Sequence, residues 1–175
     1  TMKTFKKTEY NDLREEIALG KIQKIVGRTE EMDRLTRIIN RSINNNVIIV
    51  GLSGMGKTTL VYGWISNMIR QEKYKHLGFI QLGNEHLFNF ESNSEEGVVF
   101  KGAMSELPPS VIFIDNLGRT VYGNSSLLQN TARLYHDTLK NPEVRVIVTM
   151  EPKEYNYIER EYPAFIKLFE TIRLK

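Results

Sequence analysis

The 175-residue sequence has no cysteine and contains only three histidines, five prolines and one tryptophan. The absence of cysteine excludes disulfide bonds, thiol catalysis and cysteine-ligated zinc sites. No apolar run is long enough to span a membrane, and the N-terminal lysines precede no apolar segment of the kind found in secretory signals. We therefore predict a cytoplasmic protein without a membrane partner. The small net charge of +3, spread among acidic residues, gives no indication of a nucleic-acid partner.

One short segment carries a clear chemical signal. Residues 51–58 read Gly-Leu-Ser-Gly-Met-Gly-Lys-Thr, which fits the G-x-x-x-x-G-K-[ST] pattern of a phosphate-binding loop. Successive backbone N–H groups of such a loop face a phosphate chain, the lysine reaches the β- and γ-phosphates, and the threonine hydroxyl holds Mg²⁺. The residues predicted to contact the phosphates are Gly51, Ser53, Gly54, Met55, Gly56, Lys57, Thr58 and Thr59.

The surrounding sequence alternates between strand and helix patterns. Strands are predicted at residues 47–50, 78–82, 111–115, 144–149 and 168–174. Helices are predicted at residues 9–20, at residues 59–70, at residues 152–160, after a Thr29 cap and after a Ser125 cap. This alternation indicates an α/β fold, with a parallel sheet covered on both faces and its ligand site at the carboxyl ends of the strands.

A second acidic signal follows the third predicted strand. Asp115 ends the apolar run at residues 111–114, and together with Thr58 it is predicted to hold Mg²⁺. Many ATPases have a glutamate at the next position, but this chain has Asn116, whose amide cannot accept a proton from water at neutral pH. General-base assistance is typically worth about 10²–10⁴-fold, so we predict nucleotide binding with slow or negligible hydrolysis. Glu151 is a neighbouring acid that offers an alternative base.

Together, these segments resemble the first nucleotide-binding domain of Clp-type AAA+ protein unfoldases. The similarity extends to Gly20-Lys21-Ile22, to Ile25-Val26-Gly27-Arg28 and to Glu154-Tyr155. The resemblance implies a three-layer P-loop NTPase fold with five parallel strands in the AAA+ order, without the small helical lid that follows in the family. It also implies a helical lead-in at residues 1–24 and a nucleotide-binding domain at residues 25–175 that is part of a longer protein.

The resemblance implies further site residues and partners. Adenine would lie near Ile25 and Val26, Thr149 would be the polar sensor residue after the fourth strand, and ATP, ADP and Mg²⁺ would be the ligands. The implied partners are further copies of the chain in a ring, a protein substrate and a protease. The paired arginines that complete a neighbouring site in the family are replaced by Lys167-Leu168, and lysine cannot reproduce a bidentate guanidinium contact.

Three functions remain compatible with these patterns. The first is ATP binding with weakened hydrolysis, serving nucleotide-dependent assembly or protein remodelling. The second is a fully active ATP-dependent unfoldase or chaperone subunit. The third is a signalling or DNA-associated NTPase switch, because the phosphate loop alone also resembles those of such proteins.

Overall fold

The computed structural model describes residues 10–21, 27–83, 104 and 106–175. The strands are β1 (Tyr10–Asp12), β2 (Val47–Val50), β3 (Gly78–Leu82), β4 (Ser110–Ile114), β5 (Val144–Met150) and β6 (Glu170–Arg173). The α-helices are α1 (Leu13–Ala18), α2 (Thr29–Ile39), α3 (Lys57–Ile69), α4 (Leu117–Val121), α5 (Ser125–Lys140), α6 (Pro152–Glu161) and α7 (Pro163–Ile166). A short 3₁₀ turn covers Glu72–Tyr74.

The strands form one sheet in the order β1-β3-β4-β5-β2-β6. The five strands β2 to β6 are parallel, as the sequence predicts. A sixth strand, β1, pairs antiparallel with β3 at the edge. The predicted helix at residues 9–20 is therefore shorter at its start, because Tyr10–Asp12 form this strand and the Asp12 side chain caps the helix that follows.

Two hydrophobic cores lie on opposite faces of the sheet. Alternate residues along each strand point to opposite faces, so Ile48 and Val50 join one core while Val47 and Ile49 join the other. The core containing Ile48 packs against α4 to α7, and the core containing Val47 packs against α1 to α3. Both faces are thus covered, which explains the continuous apolar runs of the central strands. Within the described residues, no helix has the length and apolar character needed to cross a membrane.

Two predicted helix caps are wrong by one residue. Thr29 is the first residue of α2, and the cap position is Arg28 in a left-handed conformation with no side-chain cap bond. Ser125 likewise begins α5, and the Asn124 side chain accepts a hydrogen bond from the Leu127 N–H. Several residue types serve as caps, so neighbouring candidates compete and the tertiary structure selects between them.

Candidate nucleotide-binding site

The phosphate-binding loop connects the carboxyl end of β2 to the start of α3. Gly54 and Gly56 both have left-handed backbones, with φ of +84° and +87°, a conformation that glycine adopts at no steric cost. The Gly51 N–H donates to the Met150 carbonyl at 3.1 Å, which ties the start of the loop to β5. The loop is thus held between two adjacent strands, and the helix end that follows favours an anion.

Lys57 lies within the loop rather than in solvent. Its side chain is 8% exposed, and its ammonium donates hydrogen bonds to the carbonyls of Gly51 at 2.7 Å and Leu52 at 3.0 Å. These contacts hold a positive charge beside the loop backbone.

Asp115 is the centre of a small polar cluster at the carboxyl ends of the strands. The Thr58 hydroxyl donates to one carboxylate oxygen at 2.8 Å, and the Thr149 hydroxyl donates to the other at 2.6 Å. The Thr149 oxygen also accepts the Asn116 N–H at 2.8 Å. Four residues predicted separately from the sequence therefore meet in space.

The oxygen atoms of this cluster suit a divalent cation. Mg²⁺ prefers hard oxygen ligands and usually takes one or two carboxylates, with water and substrate phosphates completing its shell. Thr58 and Asp115 offer a hydroxyl and a carboxylate oxygen 2.8 Å apart at the start of α3. These two residues fit the metal role that the sequence predicts for them.

Asn116 has an unusual backbone. Its φ of 59° and ψ of 31° are left-handed, and it precedes the first residue of α4. Asparagine tolerates this conformation better than most residues, whereas an ordinary side chain there costs about 1–2 kcal/mol. The backbone at this position therefore favours the asparagine found in the sequence over a glutamate.

Two contacts to the loop were not predicted from the sequence. The Arg28 guanidinium donates to the Met55 carbonyl at 2.9 Å and pairs with Glu31 at 3.3 Å. The Glu151 carboxylate accepts the Ser53 N–H at 3.2 Å. For Glu151, the only sequence signal is an acid directly after a strand of the parallel sheet, and Arg28 carries no signal of its own.

Burial affects two ionisable groups near the site. Burial raises the pKa of Tyr62 on α3, the hydrogen bond to Gln81 lowers this pKa, and the negative charge of Asp115 adds to the increase. Burial also raises the pKa of Glu154. The hydrogen bond from the Glu151 N–H lowers this pKa, the negative charge of Glu151 raises it and the positive charge of Arg119 lowers it. The Glu154 carboxylate accepts the Glu151 N–H at 2.8 Å and thereby fixes the start of α6 beside the loop.

Not every predicted site residue can be placed. Ile25 and Val26, the predicted adenine contacts, lie outside the described residues. Ser53, Gly54 and Thr59 are exposed in the loop and first turn of α3, where a ligand can reach them. The site described here is thus the part that would contact phosphate and metal.

Known proteins resemble this chain in sequence. No protein-family model matches the chain. The chain is 26% identical over 163 residues to the chaperone protein ClpB of Malacoplasma penetrans, covering 86% of this chain and 23% of the relative. It is 27% identical over 175 residues to the AAA+ ATPase ClpV1 of Pseudomonas aeruginosa, covering 93% of this chain and 19% of the relative. The chain thus spans about a fifth of the length of these curated relatives.

A solved structure of Hsp104 with ATPγS and FITC casein has the same fold. It superimposes with a TM-score of 0.81 over 96% of this chain and 30% of the Hsp104 chain, at 24% sequence identity. The fold and the loop geometry define the class as an α/β P-loop domain with the AAA+ strand order. Within this class, the chain is similar in sequence to Clp-type AAA+ proteins, at 26% and 27% identity to the two relatives above. The predicted fold class is confirmed, with the edge strand β1 as an addition, and the relatives support the predicted resemblance to Clp-type AAA+ domains.

Proposed function

We propose that this domain binds ATP and ADP with Mg²⁺ and hydrolyses ATP slowly, serving nucleotide-dependent assembly or protein remodelling. The observation that carries the proposal is the meeting of Lys57, Thr58, Asp115 and Thr149 at one edge of the sheet. The lysine and the threonine come from the phosphate loop pattern, and the other two residues come from neighbouring strand ends. Open α/β sheets bind ligands at this edge.

The phosphate chain would be held by backbone and side chain together. The left-handed glycines of the loop and the N-terminus of α3 present N–H groups to an anion. Lys57 would exchange the Gly51 and Leu52 carbonyls for phosphate oxygens, since both kinds of oxygen accept from its ammonium. Mg²⁺ would be held by Thr58 and Asp115, and when bound it supplies positive charge that stabilises the phosphates.

Slow hydrolysis follows from the residue beside the metal acid. Asn116 orients water by hydrogen bonding but has no basic group to accept its proton. The Asn116 N–H is already bonded to Thr149, so this residue also holds the sensor hydroxyl against Asp115. We therefore assign Asn116 and Thr149 to positioning of water and phosphate rather than to proton transfer.

Assembly into a ring with a protein partner is proposed from the family. The Hsp104 structure that shares this fold contains casein, a protein ligand. Lys167 is exposed at the end of α7, where it is free to approach a neighbouring subunit, and it would contact phosphate there as a point charge. The family therefore favours a chaperone-type assembly over the DNA-linked switch that the loop alone allows.

A fully active unfoldase subunit is the second candidate. The name of the ClpB relative, a chaperone, favours it. This function requires a general base other than Asn116, and it predicts that the protein hydrolyses ATP at the rate of active ATPases.

The test is nucleotide titration followed by phosphate release on the same sample. We expect calorimetry to show ATP and ADP binding that strengthens with Mg²⁺, with phosphate release far below the rate of active ATPases. Asp115→Ala should remove most of the Mg²⁺ effect while leaving metal-free binding. Absence of binding to either nucleotide would refute the proposal, and rapid phosphate release would favour the unfoldase.

A further inference from the structure

One acidic side chain already uses part of the phosphate loop. The Glu151 carboxylate accepts the N–H of Ser53, at a distance of 3.2 Å. Ser53 lies in the first half of the loop, where the backbone N–H groups point towards an anion. A carboxylate at this position takes the place that a phosphate oxygen would take.

The strand register places Glu151 on the metal side of the loop. Val50 of β2 pairs with Met150 of β5, so Glu151 follows β5 at the level where the loop begins. Two residues earlier, the Thr149 hydroxyl donates to Asp115, the predicted metal ligand. Mg²⁺ held by Asp115 would supply positive charge to the terminal phosphates of a bound nucleotide. The Glu151 carboxylate would therefore lie near the terminal end of a triphosphate.

The other end of the loop differs in charge. The first turn of α3 contains no acidic residue, and Gly56 at its cap position has no side chain to bond the helix N–H groups. Phosphates close to this helix end meet Lys57 and the positive end of the helix dipole without a competing carboxylate from that turn. Near Ser53, by contrast, the Glu151 carboxylate bonds a backbone N–H of the loop.

We propose that Glu151 is a specificity-determining residue that competes with the γ-phosphate for the Ser53 N–H and makes the site favour ADP over ATP. The inference rests on the proposed nucleotide-binding function. ATP must displace the carboxylate and then tolerate its negative charge nearby, whereas the shorter ADP leaves the Glu151–Ser53 contact in place. Glu151 would thereby lower the fraction of domain molecules that have ATP bound at a given ratio of ATP to ADP.

This role differs from that of a general base. A base at residue 151 would accelerate hydrolysis and leave the relative affinities of ATP and ADP unchanged. A competitor would change the affinity ratio, even with an analogue that is not hydrolysed. Calorimetry with adenylyl imidodiphosphate and ADP, both with Mg²⁺, therefore separates the two roles.

The experiment compares wild type with Glu151→Gln, which keeps the size of the side chain and an acceptor oxygen but removes its charge. Glu159→Gln is the matched control, because Glu159 is exposed on α6, the helix that follows Glu151. We expect Glu151→Gln to raise the affinity for the ATP analogue relative to ADP by about three- to fivefold, as is typical of one exposed charge interaction. The shift should shrink in high salt, which screens exposed charges.

Each outcome bears on one of the two proposals. An unchanged affinity ratio in Glu151→Gln, with wild type binding both nucleotides, would overturn the competitor role alone. Slower phosphate release in Glu151→Gln with an unchanged ratio would also overturn it and identify Glu151 as the base. Failure of wild type to bind either nucleotide would instead overturn the proposed function. A thermal melt of each variant establishes that the fold is intact, and Glu151→Ala provides a second uncharged variant.

Discussion

The two edges of the sheet differ in the partners of their central polar residues: two asparagines at the amino edge bond to backbone atoms, whereas Asp115 at the carboxyl edge bonds to two threonine hydroxyls. At the amino edge, the Asn46 amide donates to the Leu139 carbonyl at 2.7 Å and its oxygen accepts the Val146 N–H at 2.9 Å. Asn45 donates to the Pro142 carbonyl at 2.9 Å. Both residues are buried, and Asn46 joins the start of β2 to β5 and to the end of α5, while Asn45 joins it to the segment between them.

At the carboxyl edge the polar side chains have partners that a ligand or water can replace. Thr58, Thr149 and Asp115 bond through side chains, and Lys57 contacts loop carbonyls. Each of these groups has an equally good alternative partner in a phosphate oxygen, a metal or water. Polar residues at strand ends thus support stability where they complete the backbone bonding, and they are available for the proposed binding where their partners are exchangeable.

The largest effect is expected from Lys57→Ala. A hydrogen bond from a charged group is worth about 1.5–3 kcal/mol, so nucleotide affinity should fall by about 10- to 100-fold. The fold should be retained, because the ammonium contacts loop carbonyls and not the core. Calorimetry and circular dichroism measure the two properties, with exposed Lys75→Ala as the control. Equal ATP affinity in wild type and Lys57→Ala would break the assignment of this edge to binding.

At the amino edge we expect a substitution to lower stability and to leave nucleotide affinity unchanged. Asn46→Ala leaves the Val146 N–H and the Leu139 carbonyl without their partner, at a cost of about 1–3 kcal/mol of unfolding free energy. Urea denaturation measures this loss, and exposed Asn156→Ala on α6 should change stability little. Nucleotide affinity should stay at its wild-type value. A loss of affinity with unchanged stability would contradict the division between the two edges.

Asn116→Glu tests whether the carboxyl edge lacks a general base. The new carboxylate can accept a proton from water, so the rate of phosphate release should rise by about tenfold. This increase is below the usual range for a general base, because the left-handed backbone at residue 116 disfavours glutamate. Asn116→Gln has the same length and backbone cost without basicity, and it should show no gain. If the two variants release phosphate equally, the missing base does not limit hydrolysis.

The smallest effect concerns Glu154, which is 3% exposed and supports the start of α6. Burial raises its pKa in the folded protein, so the native state binds the proton more tightly than the unfolded state. Its contribution to stability therefore decreases as the pH rises from the ordinary glutamate range through the raised pKa, and is constant above it. Glu154→Gln should remove this decrease.

Urea denaturation at a series of pH values measures the Glu154 effect as the difference between wild type and Glu154→Gln. Exposed Glu159→Gln should keep the wild-type slope. A difference that does not vary with pH would show that the carboxyl group is equally easy to protonate in both states.

The elements predicted best from sequence are those with a strong local pattern. The four residues of β2 and the five of β3 match their predicted bounds, because continuous apolar runs and a short strand length coincide there. Strand β1 was missed because Tyr-Asn-Asp has neither alternation nor an apolar run. It is a strand only because β3 offers a free edge with which it can pair.

The sequence by itself determined the residues of the proposed chemistry: the glycines and lysine of the phosphate loop pattern, Asp115 as the predicted metal ligand and the amide at Asn116. Such residues are recognisable because spacing along one loop and the end of one strand are local properties. Only the tertiary structure decided that Thr149 would bond to Asp115 and that the Glu151 carboxylate would reach Ser53. These contacts join residues far apart in the chain, and it is the parallel pairing of β2, β4 and β5 that brings their ends to one edge.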